Sequence, residues 1–343
     1  MPGLHPTAAR AAFACGLAAA VFGAWLATES RTNAGVAFFY AIPVGLVTWW
    51  WGGRAGAVAV PACLGLYVLG GTIHPIPHFG VAFALRLAAL SGVVAVVSLL
   101  RARFTALEHS AEELEAIRAA LTPAALPKLS GVDAAAAFVP SHYGVSGDFY
   151  LLTNGPDDSA VAIVGDVAGH GPKAARLATF VRARFAAMAA NTSDPAELLM
   201  LANAALADRP GGELISAVCL RFQSEGSRLT WATAGHPPPL RLPELEELSP
   251  VGSTYLLGAE PEIELTNCET SLAPGAGVLA YTDGATDVRG ESGMLGLDGL
   301  VRLLEPYARL PAEALVRQTE TAILDWAKAP VRDDLCLLAM KLA

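Results

Sequence analysis

Ala160-Val161-Ala162-Ile163-Val164-Gly165-Asp166-Val167-Ala168-Gly169-His170-Gly171-Pro172 decides how this chain is read. The apolar, β-branched run from 160 to 167 is short and reads as a buried strand. Gly165, Gly169 and Gly171 break it into a turn, and Pro172 opens a helix at a position where its missing N–H costs nothing. A carboxylate, Asp166, therefore stands at a rigid strand end, beside glycines that leave room for an ion or a ligand. The placement recurs along the chain. Val278-Leu279-Ala280-Tyr281 ends in Thr282-Asp283-Gly284. Asp333-Asp334 stands at the mouth of a final strand, and Asp148 follows Gly147 just ahead of Phe149-Tyr150-Leu151-Leu152. Aspartates converging from different strands repel one another unless cations neutralise them. An all-oxygen donor set selects hard cations, Mg2+ or Mn2+, over zinc. Singly, each Asp-Gly pair is an ordinary turn; the repeated strand-end placement carries the argument.

Around these acids, the pattern predicts strands over 160–167, 214–222, 228–234, 262–271, 278–281 and 334–342. It predicts helices over 172–190, 195–207, 297–308 and 311–328. The strands 214–222 and 228–234 are joined by Ser224-Glu225-Gly226-Ser227, a hairpin signal. Consecutive hairpins interleaved with helices imply an α+β sandwich, two antiparallel β-sheets flanked by helices, over residues 124–343.

Toward the N-terminus the composition changes. Residues 11–28, 32–53 and 55–73 carry no charge, and 76–100 carries only Arg86. Each is close to the length that crosses a hydrocarbon layer about 30 Å thick. We read residues 1–100 as an all-α transmembrane module of four helices, 11–28, 34–51, 55–72 and 79–100, because lipid forces backbone polar groups to pair internally. Arg10, Arg54, Arg101 and Arg103 then fall on one side, which the positive-inside rule makes cytoplasmic. Arg31 is the exception, offset by Glu29. The expected location is the inner membrane, multi-pass and in contact with lipid, with the remainder of the chain cytoplasmic. A cleaved signal peptide over 1–28 is the rival reading, opposed by the three further spans. Arg86, inside the fourth span, either senses a ligand, or snorkels or bonds a neighbouring carbonyl. His74 and His78 lie in a Pro-rich outer loop, where a sensing role competes with plain loop duty.

Residues 101–121 read as a helix leaving the membrane, ended by Thr122-Pro123, so that 101–123 is a linker. Phe104, Leu107, Ala111, Leu114 and Leu121 follow a heptad seam that Arg118 interrupts. A homodimer through 101–121 and a helix packed on its own domain both fit.

The charges divide with the domains. Four arginines against one glutamate give residues 1–100 a charge of +3, which leaves −12 of the total −9 for residues 101–343. An acidic domain repels phosphate backbones, so no nucleic acid partner is expected. Cys15, Cys63, Cys219, Cys268 and Cys336 show no CxxC spacing, which argues against a disulfide framework or a zinc site.

Residues 121–343 resemble the SpoIIE-like branch of the type 2C, metal-dependent (PPM) serine/threonine protein phosphatases. The motifs that carry the likeness are Ser146-Gly147-Asp148-Phe149-Tyr150, Gly165-Asp166-Val167-Ala168-Gly169-His170-Gly171 and Ala232-Thr233-Ala234-Gly235-His236-Pro237-Pro238-Pro239. Leu279-Ala280-Tyr281-Thr282-Asp283-Gly284 and Arg332-Asp333-Asp334-Leu335 complete the set, in the family's order. The resemblance implies the PPM sandwich and two divalent cations, Mn2+ or Mg2+. It implies that Asp166 bridges them, with the Val167 carbonyl helping on one and Asp283 and Asp333 completing the other, while Asp148 holds water beyond them. It further implies in-line hydrolysis of a phosphoserine or phosphothreonine by an activated water, with no covalent enzyme intermediate. The expected partner is a phosphorylated regulatory protein of the anti-sigma-factor antagonist kind. Two departures stand beside Asp148: Leu151 where the family carries a second aspartate, and Ser146 where it carries glycine.

His170, in the turn beside Asp166, is a candidate acid for the leaving group. His236 is a candidate either for that role or for ordering its loop, and Lys173 either touches phosphate or is solvated. The chemistry thus points to a membrane-anchored phosphatase. The alternative is a catalytically silent phosphoprotein-binding module of the same fold, which the two departures motivate. A small transporter with a regulatory tail is disfavoured, because one internal charge offers few transport ligands.

Overall fold

The computed structural model describes residues 6–27, 37–73, 79–121, 126–141, 147–207, 212–223, 227–252, 255–291, 293–327 and 331–343. The chain divides into two compact units, Met1–Glu112 and Glu113–Ala343.

In the first unit, α1 (Pro6–Ala27) is followed by a 3-10 turn (Ala37–Tyr40) that runs into α2 (Ala41–Trp51), then by α3 (Gly53–Ile73) and α4 (Phe79–Leu121). The described parts of the predicted spans are helical, with a 3-10 turn at Ala37–Tyr40 inside the second. By length and apolar composition, one described segment, Phe79–Glu108, suffices to cross a membrane, whereas Arg10–Ala24 and Gly53–Leu69 are shorter apolar stretches. α2 has only 11 residues. The helices share an apolar centre that includes Tyr40, Val44, Cys63, Tyr67 and Leu90. Gly56 lets α3 press on α2, since a Cβ there would lie 2.0 Å from Thr48 Oγ1. Arg86 Nη1 donates to the Ala82 carbonyl at 2.9 Å, and its guanidinium lies 4.2 Å from the centre of the Tyr67 ring. The neighbouring-carbonyl alternative for Arg86 therefore holds, reinforced by a cation–π contact. Glu29, Arg31, His74 and His78 lie outside the described residues.

The predicted fourth span and the linker form one unbroken helix, α4. Phe104 and Leu107 are exposed. Leu121 instead packs in the second unit's own core, so at that heptad position the self-packed alternative applies. The predicted stop, Thr122-Pro123, lies outside the described residues.

The second unit contains two five-stranded sheets, antiparallel throughout their ladders. One sheet has the order β2 (Phe149–Asn154), β3 (Ser159–Val167), β4 (Ile215–Gln223), β5 (Arg228–Ala234), β8 (Cys268–Ser271). The other runs β1 (Val132–Val139), β12 (Leu335–Leu342), β9 (Gly277–Tyr281), β6 (Leu240–Leu242), β7 (Glu246–Glu247). Strand alternation sorts the side chains. Tyr150, Leu152, Val164 and Leu220 meet Val278, Leu338 and Met340 between the sheets. Phe149, Leu151 and Ile163 face the other way, with α5 (Pro172–Ala189) and α6 (Pro195–Ala207). α7 (Gly296–Leu304) and α8 (Ala312–Ala327) cover the second sheet through Leu300, Leu304, Leu315 and Ile323. A short hairpin, β10 (Arg289–Gly290) and β11 (Gly293–Met294), precedes α7. This is the expected α+β sandwich.

Two local expectations need correction. Of the predicted strand 262–271, only Cys268–Ser271 pairs. Ile263 and Leu265 gave the segment its apolar rhythm, and they pack in the helix-side core rather than in a ladder. β1 went unpredicted because Asp133-Ala134-Ala135-Ala136-Ala137 has little strand propensity; it forms because it pairs with β12 along its whole length.

Candidate active site

The register of the sheets assembles the site. β2 pairs with β3 so that Phe149 opposes Gly165, which brings Asp148 beside Asp166. The approach is close enough to demand glycine. A Cβ on Gly147 would lie 2.4 Å from the Val167 carbonyl oxygen and 2.9 Å from Asp166 Oδ1. In the other sheet β9 and β12 pair with Tyr281 opposite Leu337, so Asp283 and Asp333 leave from the same edge. Asp283 heads a 3-10 turn, Asp283–Ala285. Gly284 rests on the Asp334 carbonyl, whose oxygen would lie 1.7 Å from a Cβ placed there.

Thr282 ties the two sheets together. Its Oγ1 donates to Asp148 Oδ2 at 2.6 Å and accepts from the Cys336 N–H at 3.1 Å. Both Thr282 and Asp148 are buried. Thr282→Val keeps the shape and removes the hydroxyl, leaving a buried carboxyl oxygen and a buried N–H without it. The expected loss is about 1–3 kcal/mol of stability, measured by urea unfolding against wild type. An unchanged midpoint would show that the tie carries no energy.

The carboxylates feel one another. Burial, and then the charge on Asp166, holds Asp148 well above the usual carboxylate range. Asp166 is pushed up to about 7 by burial, against a hydrogen bond from Asp148, with the charges of Asp283, Asp333 and Asp334 adding to the rise. Asp148 and Asp166 therefore share a proton, with Asp148 the donor. Asp283 is raised by burial and then by the charges of Asp333 and Asp287. The sign of the stability effect follows. With Asp166 raised from about 4 unfolded to about 7 folded, the folded state holds protons that the unfolded chain releases. Without divalent cations, the stabilising proton is fully present below about pH 4 and lost as pH rises through about 7. Scanning calorimetry in EDTA should show the second unit's melting temperature falling across that window. A melting temperature that rises across the window would contradict the shared-proton arrangement.

Asp166 and Asp283 line one cavity of about 400 Å³, together with Ser216, His236, Leu214 and Leu256. Asp333 lines a neighbouring one of about 340 Å³, with Gly284, Asp287, Arg289 and Arg332. Asp333 Oδ1 accepts from the Asp334 N–H at 2.9 Å. Asp334 is buried. Its Oδ1 accepts from the Ser141 N–H, and its Oδ2 has no hydrogen-bond partner among the described residues. Among the described residues no three His, Cys, Asp or Glu side chains stand close enough to grip one ion together. Like charges without a counter-ion gain by standing apart, and the donors offered are all hard oxygens. The donor chemistry therefore fits Mg2+ or Mn2+.

The other candidates separate. His170 is exposed between Gly169 and Gly171, whose φ values of 107° and 85° need glycine. Lys173 pairs with Glu213 at 2.9 Å and stays mostly exposed, as its solvated alternative has it. His236 is buried, with Nδ1 2.9 Å from Ser216 Oγ. Leu151 packs in the helix-side core, so an aspartate there would lie among apolar side chains. Ser146 lies outside the described residues. Sequence reasoning missed Thr282 as the tie and Ser216 as a wall of the cavity. Thr282 was visible beside Asp283; Ser216 is placed only by the β3–β4 register, which opposes it to Asp166.

Two antiparallel sheets, helices on both outer faces and acids converging from both sheets make the second unit a PP2C-type phosphatase domain in fold. Solved structures agree. The SiaA PP2C domain of Pseudomonas aeruginosa superposes with a TM-score of 0.58 at 22% identity, over 72% of this chain and 99% of that one. The RsbU and RsbW domains of a Mycobacterium tuberculosis protein give 0.55 at 24% identity, over 63% of this chain and 61% of that one. The PP2C domain of SpoIIE from Bacillus subtilis, with a fragment of its regulatory domain, gives 0.53 at 15%, over 63% and 64%. The family model of stage II sporulation protein E (SpoIIE) matches residues 156–343, and the chain belongs to that family. A curated relative, the phosphoserine phosphatase RsbU of Bacillus subtilis (strain 168), is 22% identical over 221 residues, 63% of this chain. The chain spans 65% of that relative's length.

Proposed function

We propose that the protein is a membrane-anchored, metal-dependent serine/threonine protein phosphatase acting on a phosphorylated cytoplasmic regulatory protein. The observation that carries the reading is the meeting of Asp166 from one sheet and Asp283 from the other at one cavity, both raised by burial and by neighbouring acids. Raised, crowded carboxylates in a cleft are what a cation or a reacting group exploits. Asp166, Asp283, Asp333 and the Val167 carbonyl would hold two divalent ions, Mn2+ or Mg2+. Such ions, when bound, lower the pKa of water and offset charge on phosphoryl oxygens. Asp148, fixed by Thr282, would orient water on the Asp166 side. His170, exposed at the turn, would protonate the departing serine oxygen.

RsbU is named a phosphoserine phosphatase, which supports phosphoserine as the substrate group. An anti-sigma-factor antagonist is the kind of partner the family likeness suggests. Phe79–Glu108 supports anchoring, and the basic residues at 10, 54, 101 and 103 support a multi-pass inner-membrane protein with its second unit in the cytoplasm. A dimer contact would run through the exposed Phe104 and Leu107 of α4, since Leu121 packs in its own unit.

The test is hydrolysis of p-nitrophenyl phosphate by the full chain in detergent with Mn2+, against an EDTA control. Turnover that requires Mn2+ supports the enzyme. Leu151, an apolar core residue beside Asp148 where the family likeness expects an aspartate, favours one second reading, a silent phosphoprotein-binding module. Binding of phosphoprotein without turnover would establish it.

A further inference from the structure

His236 stands at the cavity between β4, the neighbour of the Asp166 strand, and the strand that delivers Asp283. On one side its Nδ1 is 2.9 Å from Ser216 Oγ, and Ser216 is the cross-strand partner of Asp166. On the other its neighbour is the Tyr281 carbonyl, two residues before Asp283. Nε2 is buried and has no hydrogen-bond partner among the described residues. The imidazole is 4% exposed, and it walls the cavity that holds Asp166 and Asp283. Its backbone is pinned as well. Ala217 and Gly235 form a parallel bridge, Gly235 takes φ 67°, and a Cβ there would lie 2.5 Å from Leu256 Cδ2. Pro237 follows directly, so the ring is delivered from a stiff segment.

We propose that His236 is a positioning residue. It links β4, whose Ser216 pairs with Asp166 across the sheet, to the strand that delivers Asp283, and so sets the spacing at which the two carboxylates would hold cations. The proposal rests on the phosphatase reading and extends it to a residue outside the ligand set. The chemistry fixes the tautomer. Ser216 O–H donates to Nδ1, which leaves the proton on Nε2, aimed at the Tyr281 carbonyl. Burial drives the ring's pKa down to about 3, with the Tyr281 carbonyl acting in the opposite direction. The ring is therefore neutral at working pH and adds no repulsion toward cations. A neutral ring held this deeply is not exchanging protons with solvent. It therefore acts through geometry, as outer partners of metal ligands do.

Full-length chain in detergent is titrated with Mn2+ alone, and free Mn2+ is followed by its paramagnetic resonance signal, so that affinity is read without turnover. Ser216→Ala and His236→Asn are measured beside wild type. Asn keeps an acceptor near the Nδ1 position and cannot reach Tyr281. Each variant should weaken Mn2+ affinity by about 10- to 100-fold. Turnover of p-nitrophenyl phosphate at saturating Mn2+ should return to within about threefold of wild type, and KM should hold. His236→Gln, whose amide reaches the carbonyl, should recover part of the lost affinity. Wild-type affinity in both Ser216→Ala and His236→Asn would overturn the clamp and leave the phosphatase reading intact. A lasting loss of kcat at saturating Mn2+ would overturn it too, because the ring would then act on the reacting group. Should His236→Asn fail to fold, Ser216→Ala decides alone. Wild type that neither binds Mn2+ nor turns over would sink the phosphatase reading itself.

Discussion

Replacing Asp166 with alanine should lower Mn2+-dependent hydrolysis of p-nitrophenyl phosphate by roughly a thousandfold or more, about 4 kcal/mol of transition-state stabilisation. Asp166 is the one acid that touches every other part of the site. It accepts a bond from Asp148, shares a cavity with Asp283 and feels the charges of Asp333 and Asp334. Its removal should also take a repelling charge out of a half-buried cluster. In EDTA at neutral pH, Asp166→Ala should therefore melt no lower than wild type, while Mn2+ should no longer raise its melting temperature. That pairing separates a functional acid from a structural one. A variant that melts lower and keeps its activity would show that Asp166 serves the fold, and the assignment of the site would fall. Asp166→Asn should behave alike, because its amide keeps the volume and loses the charge that holds a cation.

The second large effect is expected from a methyl group. Gly284→Ala places a Cβ 1.7 Å from the Asp334 carbonyl oxygen, far inside any contact that atoms tolerate. The neighbour is backbone, so no side chain can swing away to make room. Either the Asp283 turn or the segment entering β12 must move, and both carry candidate ligands. The expected cost is about 1–3 kcal/mol or more of stability, with activity at least about 100-fold lower, since a displacement near 1 Å can cost that much. Gly92→Ala, in α4 with nothing within 4 Å of the added Cβ and no positive φ, controls for lost glycine freedom alone. Gly284→Ala with full activity would mean that the turn and the strand slide independently, and the shared cage would then need another construction.

Much of this was legible in the chain because the decisive strands are unambiguous. The runs at 160–167 and 278–281 are apolar and bounded by glycine, and the hairpin from 214 to 234 is closed by a polar turn. Their observed bounds, Ser159–Val167, Gly277–Tyr281, Ile215–Gln223 and Arg228–Ala234, agree to within a residue. The unreadable parts depend on partners. β1 is an alanine-rich segment made extended by β12. Ile263 mimics a strand residue because burial against helices and burial in a sheet give the same local signal. Asp333 and Asp334 are adjacent and look interchangeable, yet one is exposed and the other buried, a difference set by where β12 starts. Leu151 looked like a lost acid. The strand's alternation turns it toward α5 and α6 instead. The role of Ser216 depends on cross-strand register, which no local pattern encodes.

The long-range pairing of β1 with β12 has a kinetic consequence. In the sheet β2-β3-β4-β5-β8, the pairs β2–β3 and β4–β5 are hairpins closed by short connections, so these pairs can form locally. The other sheet waits until the segment at 132–139 meets the segment at 335–342, a closure across nearly the whole domain, and such non-local contacts form slowly. Asp166 belongs to the early sheet, whereas Asp283 and Asp333 belong to the late one. A half-formed chain would hold Asp148 and Asp166 without Asp283 and Asp333. Catalytic competence should therefore arrive in a refolding experiment only with the slowest phase, after most of the circular-dichroism signal has already returned.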